Sequence, residues 1–391
     1  MFLFGINFAM VGPILIEVSK HIDTRLEVMG YYFSFVSTGF IIGSFISSFF
    51  VRLKKRKIIF IIFYLLLPAS ILLLAYAKNF PILLVSAFFI GISNGLLETN
   101  VTVLLAELYR GRESLILNTS QALIGFGSFV SPMLITYLLS NGSNIKTAFL
   151  IIVGFSLLNF VLLIFTKIPE THLNISVVDY ATSEGETKGR KRFSGIKQVF
   201  KINFLLLAAV FAAMFFYVCM ESGINSWMPT FLRLNKNFTS VFAGNALAFF
   251  WLTVAAGRLA LGWLSTKVKI SYLLLAVSIL TAITFKLSTV FNNHTLIIIL
   301  FILTGFTLSG IWPMIVAQSV NIYPAKNKLV LPLIIMTGGI GAIFSPWVVG
   351  MIYDNLNLAS GVGVIFIFAV IMAVFVAGTV FLEIISKRHK S

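Results

Sequence analysis

The segment GSFVSPMLITYL (Gly127–Leu138) returns 214 residues later as GAIFSPWVVGMIY (Gly341–Tyr353), with the same Ser-Pro pair in the same apolar setting. Three further matches keep nearly that spacing. Pro13 corresponds to Pro229, Gly43 to Gly257, and GISNGLLE (Gly91–Glu98) to GFTLSGIWP (Gly305–Pro313). Each is weak alone; four at one near-constant offset describe a chain built from two copies of one pattern.

The repeated pattern belongs in a membrane. The 391 residues are 59% hydrophobic and 11% charged, with a mean hydropathy of +1.00, where a soluble chain carries about a quarter charged residues. The apolar runs are helix-length and carry glycine, unlike the alternating strands of about ten residues that build a barrel. Twelve can be marked: 2–19, 28–51, 58–77, 82–106, 115–139, 147–166, 203–229, 240–264, 271–290, 295–320, 329–353 and 360–385. The expected fold is an all-α integral membrane protein, with twelve transmembrane helices as two six-helix halves related about the membrane normal, the major facilitator fold. The expected divisions are an N-terminal half (1–166), a hydrophilic cytoplasmic linker (167–202), and a C-terminal half with a short cytoplasmic tail (203–391).

Lysine and arginine set the expected orientation. Twenty-one of them fall on one side: the loops near 52–57, 110–112, 167–201, 267–269 and 326–328, and the tail. Only six (Lys20, Arg25, Lys78, Lys146, Arg233, Lys236) fall on the other. By the positive-inside rule both termini are cytoplasmic in a multi-pass protein of the cell membrane, and the net charge of +16 calls for no nucleic acid.

Several function classes drop out. A lone Cys219 leaves no intrachain disulfide or thiolate cluster, and His21, His172, His294 and His389 fall in or beside loops, without metal-ligand spacing. No GxxxxGK[ST] marks an ATP motor, and GGIGAIF (Gly338–Phe344) lacks the third glycine and preceding strand of a dinucleotide loop. The first span lacks the basic start and cleavage site of a signal peptide. With no catalytic constellation and no loop long enough to fold, an enzyme is not expected, nor is a cofactor or metal.

The candidate site starts from GISNGLLETNVT (Gly91–Thr102). At 100° per residue, Gly91, Asn94, Gly95, Glu98 and Thr102 share one helical face, which puts a carboxylate deep in an apolar span. An intramembrane acid belongs to a bundle interior or a wet cavity and is by default a functional group, packing being the bland alternative. Desolvation suits such an acid to exchange a proton. Asn118, Gln121 and Gly125 line one face of span five, while Tyr217, Glu221 and Asn225 follow at i, i+4 and i+8 in span seven. Trp251 is a candidate stacking platform. For the amides the alternative is an interhelical hydrogen bond; for Trp251 it is packing; for Glu221 it is a solvated place nearer the outer end of its span. Asn100 faces away from Glu98, and Arg258 reads better as a snorkelling or capping residue than as a substrate contact.

These motifs resemble the fucose/galactose/glucose:proton symporter branch of the major facilitator superfamily, along most of both halves but as short scattered matches. Leu97-Glu98-Thr99 is similar to the LET of that branch's fourth helix, whose Glu is implied to couple protons. Leu117-Asn118, Gln121 and Gly125–Ser128 resemble its fifth helix, implied to contact sugar. ESGINSWMP (Glu221–Pro229), FFWLTVAAGR (Phe249–Arg258), GIWP (Gly310–Pro313) and GGIGAIFSP resemble the seventh, eighth, tenth and eleventh helices of its glucose/mannose members. Two departures stand out. Span one offers Asn7 where fucose-type members carry Asp, and the loop after span two reads VRLKKRK without the superfamily's Asp-Arg-Gly pattern.

The resemblance implies proton-coupled uptake of a neutral, glucose-like monosaccharide by alternating access. Glu98 and Glu221 are then the proton-coupling candidates, and Asn94, Asn118, Gln121, Tyr217, Asn225 and Trp251 the substrate-binding ones. The expected partners are a small-molecule substrate, most simply a sugar, and the lipid bilayer, with one chain sufficient for function. Sodium in place of the proton is left open. The alternative on the same fold is a proton-antiport exporter of drugs or another amphiphile, for which the chain's 40 phenylalanines would line a broad apolar cavity.

Overall fold

The computed structural model describes residues 1–50, 56–109, 113–166, 204–322 and 330–388. Among them every regular element is helical. Eleven helical segments are long and apolar enough to cross a bilayer, from Phe2–His21 to Leu358–Glu383, and the shorter apolar helix Phe60–Ala75 falls where span three is expected. The basic loops at 51–55, 110–112 and 323–329, the linker and the last three residues lie outside the described residues.

Local chemistry explains where the helices begin and break. Asn79 caps Phe80–Leu108, its side chain accepting from the Ile82 amide at 3.0 Å, with Pro81 in the first turn. Asn144 and Asn293 cap Ile145–Phe165 and His294–Ser309 in the same way. Span one, expected as a single helix, is broken. Phe2–Ala9 ends before a 3-10 turn at Gly12–Ile14, and Leu15–His21 resumes, because Pro13 lacks the amide that an unbroken helix would need. Span ten divides at Gly310 into His294–Ser309 and Ile311–Ile322. Span seven, by contrast, runs unbroken through Pro229 from Phe204 to Lys236.

The sequence repeat reappears as repeated contacts. A Cβ on Gly43 of Gly30–Phe50 would overlap the Ile92 carbonyl, and one on Gly257 of Ser240–Leu264 would crowd the Phe306 carbonyl, 214 residues further on at both ends. Likewise Gly127 of Glu113–Ser140 rests on the Phe2 carbonyl, and Gly341 of Val330–Asn355 on the Phe215 carbonyl. Glycine is required at these four positions because backbone meets backbone there.

Within the described residues the chain packs as two compact units. One comprises Met1–Leu173, Gly223–Leu252 and Ile343–Val362; the other comprises Asn174–Ser222, Thr253–Ala342 and Gly363–Ser391. In the first, Gly91 and Gly95 of span four dock on the Val36 and Phe40 carbonyls of span two, while Gly39 and Gly43 return the contact against Phe88 and Ile92. In the second, Thr281, Thr284, Thr304 and Thr307 join spans nine and ten through hydroxyl–hydroxyl bonds of 2.8 Å (Thr281 to Thr307) and 3.0 Å (Thr304 to Thr284).

Candidate functional site

The face read from Gly91 to Thr102 divides its labour. Gly91 and Gly95 are spent on span two, whereas Asn94 and Glu98 turn toward spans one and five. Asn7 Nδ2 donates to Asn94 Oδ1 at 3.4 Å, and both amides are buried. Asn7 Oδ1 has no partner among the described groups. Glu98 is hydrogen-bonded to Gln121 of span five. Both Glu98 and Gln121 keep partial access. Asn118 lies in the same helix as Gln121, but its side chain lies outside the described residues. Asn100 donates to Ser47 Oγ at 2.5 Å and to the Leu96 carbonyl at 2.7 Å, so it serves the packing of spans two and four.

Span one, which the sequence marked for Pro13 and for its missing Asp, supplies several contacts of this first unit. Phe8, next to Asn7, receives Asn225 Nδ2 on its carbonyl at 3.0 Å. Its ring meets Trp251 edge-on at 5.2 Å, and Trp251 Nε1 donates to Asn225 Oδ1 at 3.1 Å. Asn225 thus uses one donor and one acceptor of its amide, and Trp251 is 5% exposed. The aromatic run continues through Phe4 to Phe40, with ring separations of 6.2 and 5.8 Å. The sequence signal for this was the i, i+4 pair Phe4 and Phe8 beside Asn7. Further along span one, Glu17 takes both Nη atoms of Arg233, at 2.6 and 2.8 Å, on a largely buried pair. Arg233 belongs to the last turn of span seven, not to a free loop.

The second unit holds the other acid. Tyr217 Oη donates to Glu221 at 2.9 Å, and the tyrosine is fully buried. Arg258 of span eight hydrogen-bonds the Tyr217 hydroxyl and lies in electrostatic range of Glu221. Trp312 approaches the tyrosine ring at 6.1 Å. Arg258, weighed from sequence as a snorkelling residue, therefore belongs to a polar cluster. The signal was present: a guanidinium amid an apolar span wants an acid partner.

The two clusters offer different chemistry. The first combines amide donors and acceptors, aromatic edges and a carboxyl in contact with a neutral amide. The second holds a phenol between a carboxyl and a guanidinium, the Tyr217 hydroxyl bonding both Glu221 and Arg258. Among the described residues, no group of three or more His, Cys, Asp or Glu has the geometry to hold a metal ion.

Known proteins share the fold that carries these two clusters. A family model described as Major Facilitator Superfamily matches residues 1–285. A protein TsgA homolog of Buchnera aphidicola subsp. Baizongia pistaciae is 21% identical over 380 residues, covering 95% of this chain and 92% of its own length. In structure, the nucleoside transporter NupG aligns with a TM-score of 0.77 at 11% identity, covering 97% of this chain and 98% of its own. A D-xylose-proton symporter aligns with a TM-score of 0.75 at 14% identity, covering 97% and 94%.

Proposed function

The chain belongs to the Major Facilitator Superfamily, and from that premise we propose that it carries a neutral, glucose-like monosaccharide inward together with a proton. It is a multi-pass membrane transporter of that superfamily; the substrate, the coupling ion and the direction are the content of the proposal. The observation that carries it is the adjacent pair Asn7 and Phe8. Asn7 reaches the span-four face that holds Glu98, while Phe8 meets Trp251 and Asn225. A sugar needs several fixed amide donors and acceptors for its hydroxyls and an apolar or aromatic surface for its C–H face. These elements meet on span one. The fold itself accommodates this chemistry in the D-xylose-proton symporter.

In this reading Glu98 takes up the proton and Gln121 holds its carboxyl in place. Asn94, Gln121 and Asn225, with Asn118, offer bonds to the sugar, and Phe8 and Trp251 present ring edges. Tyr217, Glu221 and Arg258 form a second polar station whose charge is balanced within the protein. The halves 1–166 and 203–391 rock about the site, joined by residues 167–202 on the cytoplasmic face of the cell membrane, where both termini also lie. A proton crossing 100 mV supplies about 2.3 kcal/mol, enough to concentrate a neutral solute roughly fiftyfold.

The test is uptake of labelled glucose, mannose, fucose and galactose into proteoliposomes under an imposed inward proton gradient, with and without an uncoupler. The expected result is accumulation of at least one sugar that the uncoupler abolishes. Accumulation that follows a sodium gradient instead would refute the coupling ion. Failure to take up any of the four by correctly inserted protein would refute the substrate class.

A further inference from the structure

Spans nine and twelve leave a cleft between them whose lining includes none of the residues assigned to either polar cluster. It measures about 490 Å³ and is lined by Leu275, Ile279, Ile283, Phe366, Val370 and their apolar neighbours, with Lys286 at one end as its one charged lining residue. Ile279, Ile283 and Val374 on its walls are roughly half exposed or more, as expected of side chains that face hydrocarbon. From Leu275 to Leu287 the cleft runs about 18 Å along the helix axis, at 1.5 Å per residue, which is roughly the depth of one leaflet of a 30 Å hydrocarbon core.

The two ends of this helix pair differ in charge balance. At one end Ser271 donates to Glu383 Oε2 at 2.6 Å, and Lys269 sits 3.6 Å from Glu383 Oε1, so the acid and the base satisfy each other. At the other end Lys286 lies over the Phe366 ring, 5.0 Å from its centroid, one turn before span nine stops at Val290. Among the described residues Lys286 makes no ion pair. A cation at the rim of an apolar, leaflet-deep cleft is the complement of an amphiphile with an anionic head and a hydrocarbon tail.

We propose that the cleft between spans nine and twelve binds an anionic phospholipid, with one acyl chain along the groove and its phosphate on the Lys286 ammonium. The surrounding bilayer supplies such a molecule without a diffusion step through water. The acyl chain gives affinity through buried methylenes, and the lysine gives headgroup preference. The site is independent of which solute the transporter carries.

Native mass spectrometry of the purified full-length protein tests this, with phosphatidylglycerol and phosphatidylcholine of the same acyl chains added in equal amounts. The expected result is about fivefold preferential retention of phosphatidylglycerol, the factor one lysine near a headgroup confers. Lys286→Gln should remove the preference, and Ala373→Phe, which fills the groove in a protein that still elutes as one species, should lower retention of both lipids. Lys146→Gln, which removes an equal charge stacked on Tyr76 elsewhere, should leave the preference intact. Equal retention of the two lipids by the native chain would overturn the proposal, as would equal losses in Lys146→Gln and Lys286→Gln. A dimer dispersed by Ala373→Phe would also overturn it, assigning the cleft to a second copy of the chain.

Discussion

Glu98 and Glu221 are two intramembrane acids in opposite company. Glu98 meets the neutral side chain of Gln121. Glu221 meets a phenol at 2.9 Å, and the guanidinium of Arg258, bonded to the same phenol, lies in its electrostatic range. An arginine is a permanent counter-charge that favours the ionised carboxyl, while an amide accommodates either protonation state. In the proposed cycle the two acids divide the work: Glu98 exchanges the coupling proton, and Glu221 joins Tyr217 and Arg258 in a separate polar station.

That contrast can be broken most forcefully at Arg258. Removing the arginine leaves the half-buried Glu221 without the cation in its electrostatic range, and breaking a fully buried pair on one side costs about 3–5 kcal/mol, the upper bound here. Arg258→Ala should therefore lower the yield of folded protein and the midpoint of thermal unfolding in detergent. Adding Glu221→Gln to it should restore most of both, since the orphaned charge is gone. A double variant no more stable than Arg258→Ala would show that the two groups are not a functional pair.

The corresponding change at the first acid should be mild. Gln121→Leu deletes one hydrogen bond to a carboxyl that retains access to water, a loss of about 1–2 kcal/mol at most. Thermal unfolding should move little. Sugar affinity, read from competition in an uptake assay, should weaken by about tenfold, the factor that corresponds to 1.4 kcal/mol. A destabilisation as large as that of Arg258→Ala would erase the distinction between the two sites.

Much of this was legible in the chain. The spans follow from composition and run length, and the repeat predicted glycine pairs that the structure realises as Gly43 with Ile92 and Gly257 with Phe306. Glu98 stood out because a carboxylate is costly in an apolar run. What stayed hidden depends on contacts between residues far apart in sequence. Periodicity showed that Asn94 and Gly95 share a helical face, but not that span two takes Gly95 and span one takes Asn94. The role of Phe8 rests on Asn225 and Trp251, more than two hundred residues away, and that of Arg233 on Glu17. A single sequence records each partner's chemistry without recording the pairing. The break in span one was foreseeable from Pro13, yet Pro229 occupies a similar place in an unbroken helix. Proline alone does not decide the matter when neighbouring helices support the backbone.

If Glu98 carries the coupling proton, Glu98→Gln is the decisive variant. The glutamine keeps the size and the hydrogen bond to Gln121 but cannot release a proton. Two rates should be measured on the same proteoliposomes: accumulation driven by an inward proton gradient, and counterflow exchange of labelled for unlabelled sugar with no gradient. Accumulation is expected to disappear while counterflow persists near the native rate. Gradient-driven accumulation at the native level in Glu98→Gln would contradict it and would move the coupling role to another group, with Glu221 the first to examine.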